Sequence, residues 1–332
     1  MNPRHPQTGS NPTGAELEHS LLDLARRTTS AGPGKGRAFE PKRLRARLER
    51  LYSGLEAAQT TGRAVSRAEE WLLDNRHVIE DALESLKQDM PPGYVRSLPH
   101  VPTGDRGWVP RVHELARILG ERGGAPLDPE RIERAVEQFQ AHESLSIGEL
   151  WALPSFLVLE IIRTLLADAQ SVRPGMEARQ PDRETSLADH IAGGIISLRA
   201  LSNHDWRDSF ERLSHVEHIL GEDPAGAYAA MDFESRDRYR RVVERLAKRG
   251  NATETVVAGT CVDLCKDVDD TSSRHRHVGY WLIAGGRRRL ERLTGFRPTW
   301  RESLLRLALH RPEMIYFLPL SAFIAVPMAV LT

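Results

Sequence analysis

The chain has 332 residues, enough for one or two domains with a sizeable core, so a missing catalytic pattern is not a matter of size. Lys plus Arg and Asp plus Glu balance at 46 each and only 6% of residues are aromatic, which gives no whole-chain reason to expect nucleic acid as a partner. The two cysteines, Cys261 and Cys265, are spaced to share one face of a helix rather than close a disulfide loop, and they fit a reducing cytoplasm.

Residues 1–40 are expected to be a disordered tail, because GSNPTG and SAGPGKGR are turn-formers with little to bury. A short amphipathic piece, Leu17–Arg27, separates them. The first fourteen residues lack the apolar stretch of a cleaved signal. GPGKG lacks both the spacing of a phosphate loop and a preceding strand.

From Pro41 onward apolar residues recur at three and four, as in Leu44, Leu48, Leu51 and Leu55, and strand-like alternation is almost absent. Ser66/Glu69, Ser146/Glu149 and Thr299/Glu302 read as capping boxes, with Asn251/Glu254 a weaker variant. Asp128-Pro129 opens the helix carrying Ile132, Val136 and Phe139. Pro91-Pro92-Gly93, Gly120 to Gly124, Pro174-Gly175 and Gly221 to Pro224 read as stops. Over Asp205–Gly221, Trp206, Phe210, Leu213 and Leu220 form one core stripe, and Trp151 is expected in the core after its capping box. The fold class is therefore all-α: an irregular multi-helix bundle as one domain over 41–310, followed by a C-terminal transmembrane helix. That helix is read from Met314–Leu331, 18 residues without a charge, close to the roughly 20 needed to cross a bilayer. The ten arginines and two glutamates of Arg274–Arg311 place its flank, and the helical bulk, on the cytoplasmic side.

Three clusters could carry chemistry. On one continuous helix Glu70, Asp74 and His77 would stack at four and three, setting a carboxylate beside an imidazole, with Trp71 and Glu80 nearby; capping and ion pairing with Arg76 explain the same residues. His215 and His218 stand three apart but lack the H-E-x-x-H order, while His275 and His277 fall in an arginine-rich loop expected to be solvated. Met231 to Arg240 holds a dense run in which Arg236, Tyr239 and Arg240 serve either internal ion pairs or a surface gripping a partner domain. No catalytic residue, metal ligand or cofactor is assigned; Trp71, Asp74, His77, Trp151, Arg236, Tyr239 and Arg240 are the candidate partner or structural residues.

At Trp71-Leu72-Leu73-Asp74-Asn75-Arg76-His77-Val78-Ile79-Glu80 the sequence resembles the N-terminal region of cyclic β-1,2-glucan synthases. The likeness continues in order through Pro91-Pro92-Gly93-Tyr94, Pro110-Arg111-Val112-His113, Leu145–Pro154, Met231–Val243, Val278–Ile283 and Gly295-Phe296-Arg297-Pro298. Departures are Arg76, where the family usually has Phe, and Ala284-Gly285 in place of an acidic pair. The resemblance implies an inner-membrane enzyme that builds a cyclic glucan from UDP-glucose. It also implies that this chain is the non-catalytic, cytoplasmic N-terminal region of such a protein, ending in the first membrane span. The aspartate set and the Q-x-x-R-W motif that such transferases need do not occur here together. The expected partners are the glycosyltransferase domain, in cis or in trans, and the inner membrane, with no nucleic acid. The competing readings are a soluble helical interaction module without enzymatic activity and a stand-alone sugar-active enzyme using Glu70, Asp74 and His77.

Overall fold

The structure, a computed structural model, describes residues 14–27, 32–33, 41–104, 107–121, 125–172, 179–268, 274–303 and 306. These residues are overwhelmingly helical. The chain divides at His215 into two compact units, within the stretch expected to be one domain over 41–310.

In the first unit the Ile147–Ser171 helix is the central rod, packed by Arg111–Gly120, Pro181–Asn203 and Arg76–Asp89. Its start follows from Ser146, whose side chain accepts from the Glu149 N–H while Glu149 returns the bond to the Ser146 N–H at 2.9 Å. Ser66/Glu69 and Asp128-Pro129 open their helices in the same expected ways. The central helix is long and apolar enough to cross a membrane by length and composition. Leu150, Leu153, Phe156, Leu157, Ile162 and Leu165 on it are buried against neighbouring helices, so here it forms the protein's own core. The C-terminal span, Met314–Leu331, lies outside the described residues, as does the Pro174-Gly175 stop.

Two features depart from the sequence expectations. Gly14–Arg27 is a helix with Leu21 and Leu24 buried, packing on Arg111–Gly120, so the amphipathic piece inside the expected tail is a structural element. A small antiparallel sheet joins β1 (Gly32–Pro33), β2 (Pro99–Thr103) and β3 (Gly107–Pro110) in that order, with His100 opposite Pro110 and Thr103 opposite Gly107. Gly107, the first residue of β3, has φ 74°, a left-handed conformation that favours glycine. These strands are short and proline-rich, which hides them from a periodicity test.

The second unit packs Phe233–Arg249, Glu254–Lys266, Val278–Ile283 and Arg287–Leu293 around Val243, Leu246, Val257, Cys261, Val278, Leu282 and Leu290. Its second helix is capped by Thr253, which accepts from the Val256 N–H, rather than by Asn251 as expected. Asn251 lies two residues earlier, where its N–H donates to the Thr294 carbonyl at 3.2 Å. The Thr299/Glu302 box forms, with Glu302 accepting from the Thr299 N–H at 3.0 Å.

Candidate functional site

The 71–80 segment does not build the acid–base stack. Asn75, at φ −110° and ψ 20°, ends the Arg67–Asp74 helix and begins Arg76–Asp89, so Glu70 and Asp74 sit on one helix and His77 on the next. All three are exposed. What the segment orders is the joint itself. The Asn75 amide donates to the Trp71 carbonyl at 2.8 Å and accepts from Arg199 at 2.7 Å, tying the junction to Pro181–Asn203. Arg76 bonds Glu80 and Glu56, each at 2.7 Å, and lies over the Tyr52 ring at 4.7 Å. Arg76 thus forms a surface ion-pair clip. Trp71 is half-buried, and Trp151 is half-buried rather than fully in the core: it stacks on Phe210 with centroids 4.7 Å apart. The stripe that carries Phe210 is interrupted at Ser214, which caps the end of Trp206–Leu213 before a second short helix, His215–Gly221.

The densest polar constellation lies inside the second unit and centres on Glu217. Its carboxylate accepts from the Tyr228 hydroxyl at 2.7 Å, from Arg236 at 2.8 Å and from Arg240 at 2.7 Å. Arg240 is fully buried, its guanidinium 4.6 Å above the Phe233 ring. Asp237 bridges Arg240 and Arg241, at 3.7 and 2.7 Å. Burial and the Glu217 carboxylate both push the Tyr228 phenol up, so it stays protonated as the donor.

A second carboxylate, Asp223, extends the network. It accepts from the N–H groups of Tyr228 at 3.1 Å and Val278 at 3.2 Å, and from His277 Nδ1 at 2.8 Å. Burial would raise this carboxyl, but the His277 bond and the two backbone donors outweigh it and hold it below its ordinary value. The Tyr239 hydroxyl stands 3.3 Å from His277 Nε2. His277 is therefore an anchor in the network, and not the solvated loop residue expected. Gly279 is required here, since a Cβ would collide with the Tyr239 hydroxyl and the His277 ring.

Chemically, this is a clamp. Glu217 and Asp223 spend their oxygens on protein donors, and the effect is to pin the His215–Gly221 helix, the 223–228 turn, Phe233–Arg249 and Val278–Ile283 to one another. Of the expected residues, Arg236, Tyr239 and Arg240 are brought together, facing inward rather than outward to a partner. Glu217, Tyr228, Asp223 and His277 were not singled out for this role, and nothing in spacing points from Asp223 to His277, 54 residues away. An analogous pair was also missed in the first unit, where Arg111 bonds Glu149 through two nitrogens at 2.8 and 2.6 Å, both side chains buried. Among the described residues no group of three or more His, Cys, Asp or Glu is placed to hold a metal. His215 Nδ1 is 2.9 Å from the Ser144 hydroxyl, and His218 is exposed.

Fold and site together define a predominantly α-helical protein whose densest polar cluster is a largely buried ion-pair network. No family model matches the chain. It is similar to the cyclic beta-(1,2)-glucan synthase NdvB of Rhizobium meliloti (strain 1021), with 28% identity across 88% of this chain and 13% of that protein. The chain is therefore related to the cyclic β-1,2-glucan synthase family, and spans about an eighth of the length of the relative it matches.

Proposed function

We propose that this chain is a non-catalytic helical module of the cyclic β-1,2-glucan synthase family, held at the inner membrane through residues 311–332. Its helical units face the cytoplasm and support the glycosyltransferase domain, in cis or in trans. The observation that carries this reading is the relationship to the glucan synthase across 88% of the chain, for only 13% of that protein's length. A scaffold is supported further by the polar clusters, whose carboxylates are engaged by protein donors at Glu217, Asp223 and Glu149. The stand-alone enzyme reading needs Glu70, Asp74 and His77 in one array, and the Asn75 junction separates them. The soluble-module reading differs only in the membrane. Carbonate extraction of the full chain, with protease added outside spheroplasts, separates the two. Retention in the membrane with the helical units protected supports the proposal; release by carbonate, or cleavage from outside, sinks it.

A further inference from the structure

The second unit carries a surface that the clamp does not use. From Arg274 to Arg301 the sequence holds eight arginines and one acid, Glu291. That acid is engaged internally, accepting from Arg287 at 2.9 Å and Arg306 at 2.7 Å. The next acid, Glu302, is engaged by Arg249 at 2.7 Å and by Arg245. Arg288, Arg292, Arg297 and Arg301 are exposed, and among the described residues no carboxylate lies at ion-pair distance from any of them. Beside them stand two large apolar side chains in solvent, Leu293 at 58% and Trp300 at 68% exposure, with the Arg301 guanidinium 5.2 Å from the Trp300 ring centroid. The backbone beneath is fixed, because the Arg297 N–H donates to the Arg249 carbonyl at 3.0 Å and the Thr294 carbonyl accepts from Asn251 at 3.2 Å.

We propose that this arginine face, with Leu293 and Trp300, is a docking surface for an anionic lipid bilayer. Arginine heads that keep their charge in the headgroup layer, beside an indole and an aliphatic side chain reaching the acyl boundary, are the chemistry of an interfacial contact. Acid-poor clusters of four to eight basic residues next to a membrane segment attract anionic headgroups at close range. The uncharged stretch Met314–Leu331 begins thirteen residues beyond Arg301 in the sequence. This inference rests on the membrane association proposed above and adds the lipid chemistry to it.

The test is flotation of the full chain with vesicles of phosphatidylcholine alone, and with a third of the lipid replaced by phosphatidylglycerol, at low salt and at roughly tenfold higher salt. Anionic vesicles should bind on the order of 100-fold more tightly at low salt, with the excess collapsing at high salt. The triple variant Arg288→Gln, Arg292→Gln, Arg297→Gln should lose that preference while melting as the parent does, and Trp300→Ala should weaken binding to both vesicle types a few-fold. Equal binding to both vesicle types, or a preference that survives in the folded triple variant, overturns the proposal. So does a parent chain that binds a soluble polyanion such as heparin while ignoring anionic vesicles. The two proposals fail separately: anionic preference with full release by carbonate removes the tether and leaves this face, whereas carbonate-resistant binding without lipid preference does the reverse.

Discussion

Removing the Glu217 carboxylate is the sharpest perturbation of the clamp. Glu217→Ala takes an acceptor from three donors: the buried Tyr228 hydroxyl, the partly exposed Arg236, and Arg240, which has no exposure at all and keeps Asp237 at 3.7 Å. Arg236 can turn to water. The stranded hydroxyl costs about 1–3 kcal/mol and the buried guanidinium somewhat more, in line with the roughly 3–5 kcal/mol typical of breaking a buried ion pair from one side. Against a total domain stability of about 5–15 kcal/mol, this is a large fraction, and it lowers the melting temperature by roughly 10–20 °C. The double variant Glu217→Leu/Arg240→Met removes the charge on both sides and should recover about half or more of the loss, since a buried pair exchanged for apolar groups is close to neutral. The assay is thermal and denaturant melting of the parent, Glu217→Ala, the two single variants Glu217→Leu and Arg240→Met, and the double variant that combines them. If Glu217→Ala melts within a degree or two of the parent, or if the two single losses simply add, Glu217 and Arg240 are not one buried unit and the clamp is refuted.

Trp151→Ala should destabilise by about 2–3 kcal/mol, less than a fully buried tryptophan, because the ring is half-buried and stacks on Phe210; in a melting cycle the Trp151→Ala and Phe210→Ala losses should add to more than the loss of the double variant, and strict additivity would refute the stack. Asp223 is ionised below the ordinary carboxylate range in the folded state, so the unfolded chain binds more protons and stability rises with pH; its contribution is complete above about pH 4 and is lost as pH falls through the depressed value. Asp223→Asn should therefore be less stable at pH 7 and show a shallower acid limb in pH-dependent melting; an unchanged acid limb would contradict the network. Cys261 and Cys265 are buried, and the Cys261 thiol is pushed up by its hydrogen bond with Cys265 and by burial. Thiol titration should find both inert in the native protein and both reactive in denaturant, and fast native labelling would show that the second unit's core is open.

Helix starts were legible because a cap is a local event: Ser66/Glu69, Ser146/Glu149, Asp128 and Thr299/Glu302 need only residues within three positions. Both Asn251 and Thr253 can cap; in the fold Thr253 takes the Val256 N–H, while the Asn251 N–H is bonded to the Thr294 carbonyl, 43 residues on. The break at Asn75 was hidden for a related reason. Its helical pattern continues on both sides, and the bond from Arg199 that holds the kink comes from 124 residues away. The same limit applies to the clamp. Arg236 and Arg240 could be picked out as a dense cluster, but whether they face a partner or the interior was fixed by Glu217, Tyr228 and the fold that gathers them. The motifs that carry the family resemblance each set some residues in the core: Leu72, Asn75 and Ile79 in one, Ile147, Glu149 and Leu150 in another, and Arg240 and Val243 in a third are buried.

The measurement that bears most directly on the proposed role is incorporation of radiolabelled glucose from UDP-glucose into glucan by the purified chain, with and without a glucan synthase glycosyltransferase domain supplied in trans. The scaffold reading predicts no incorporation by this chain alone, and incorporation by the supplied domain that rises when the chain is added. Label entering glucan with the chain alone, or a supplied domain indifferent to its presence, would contradict it.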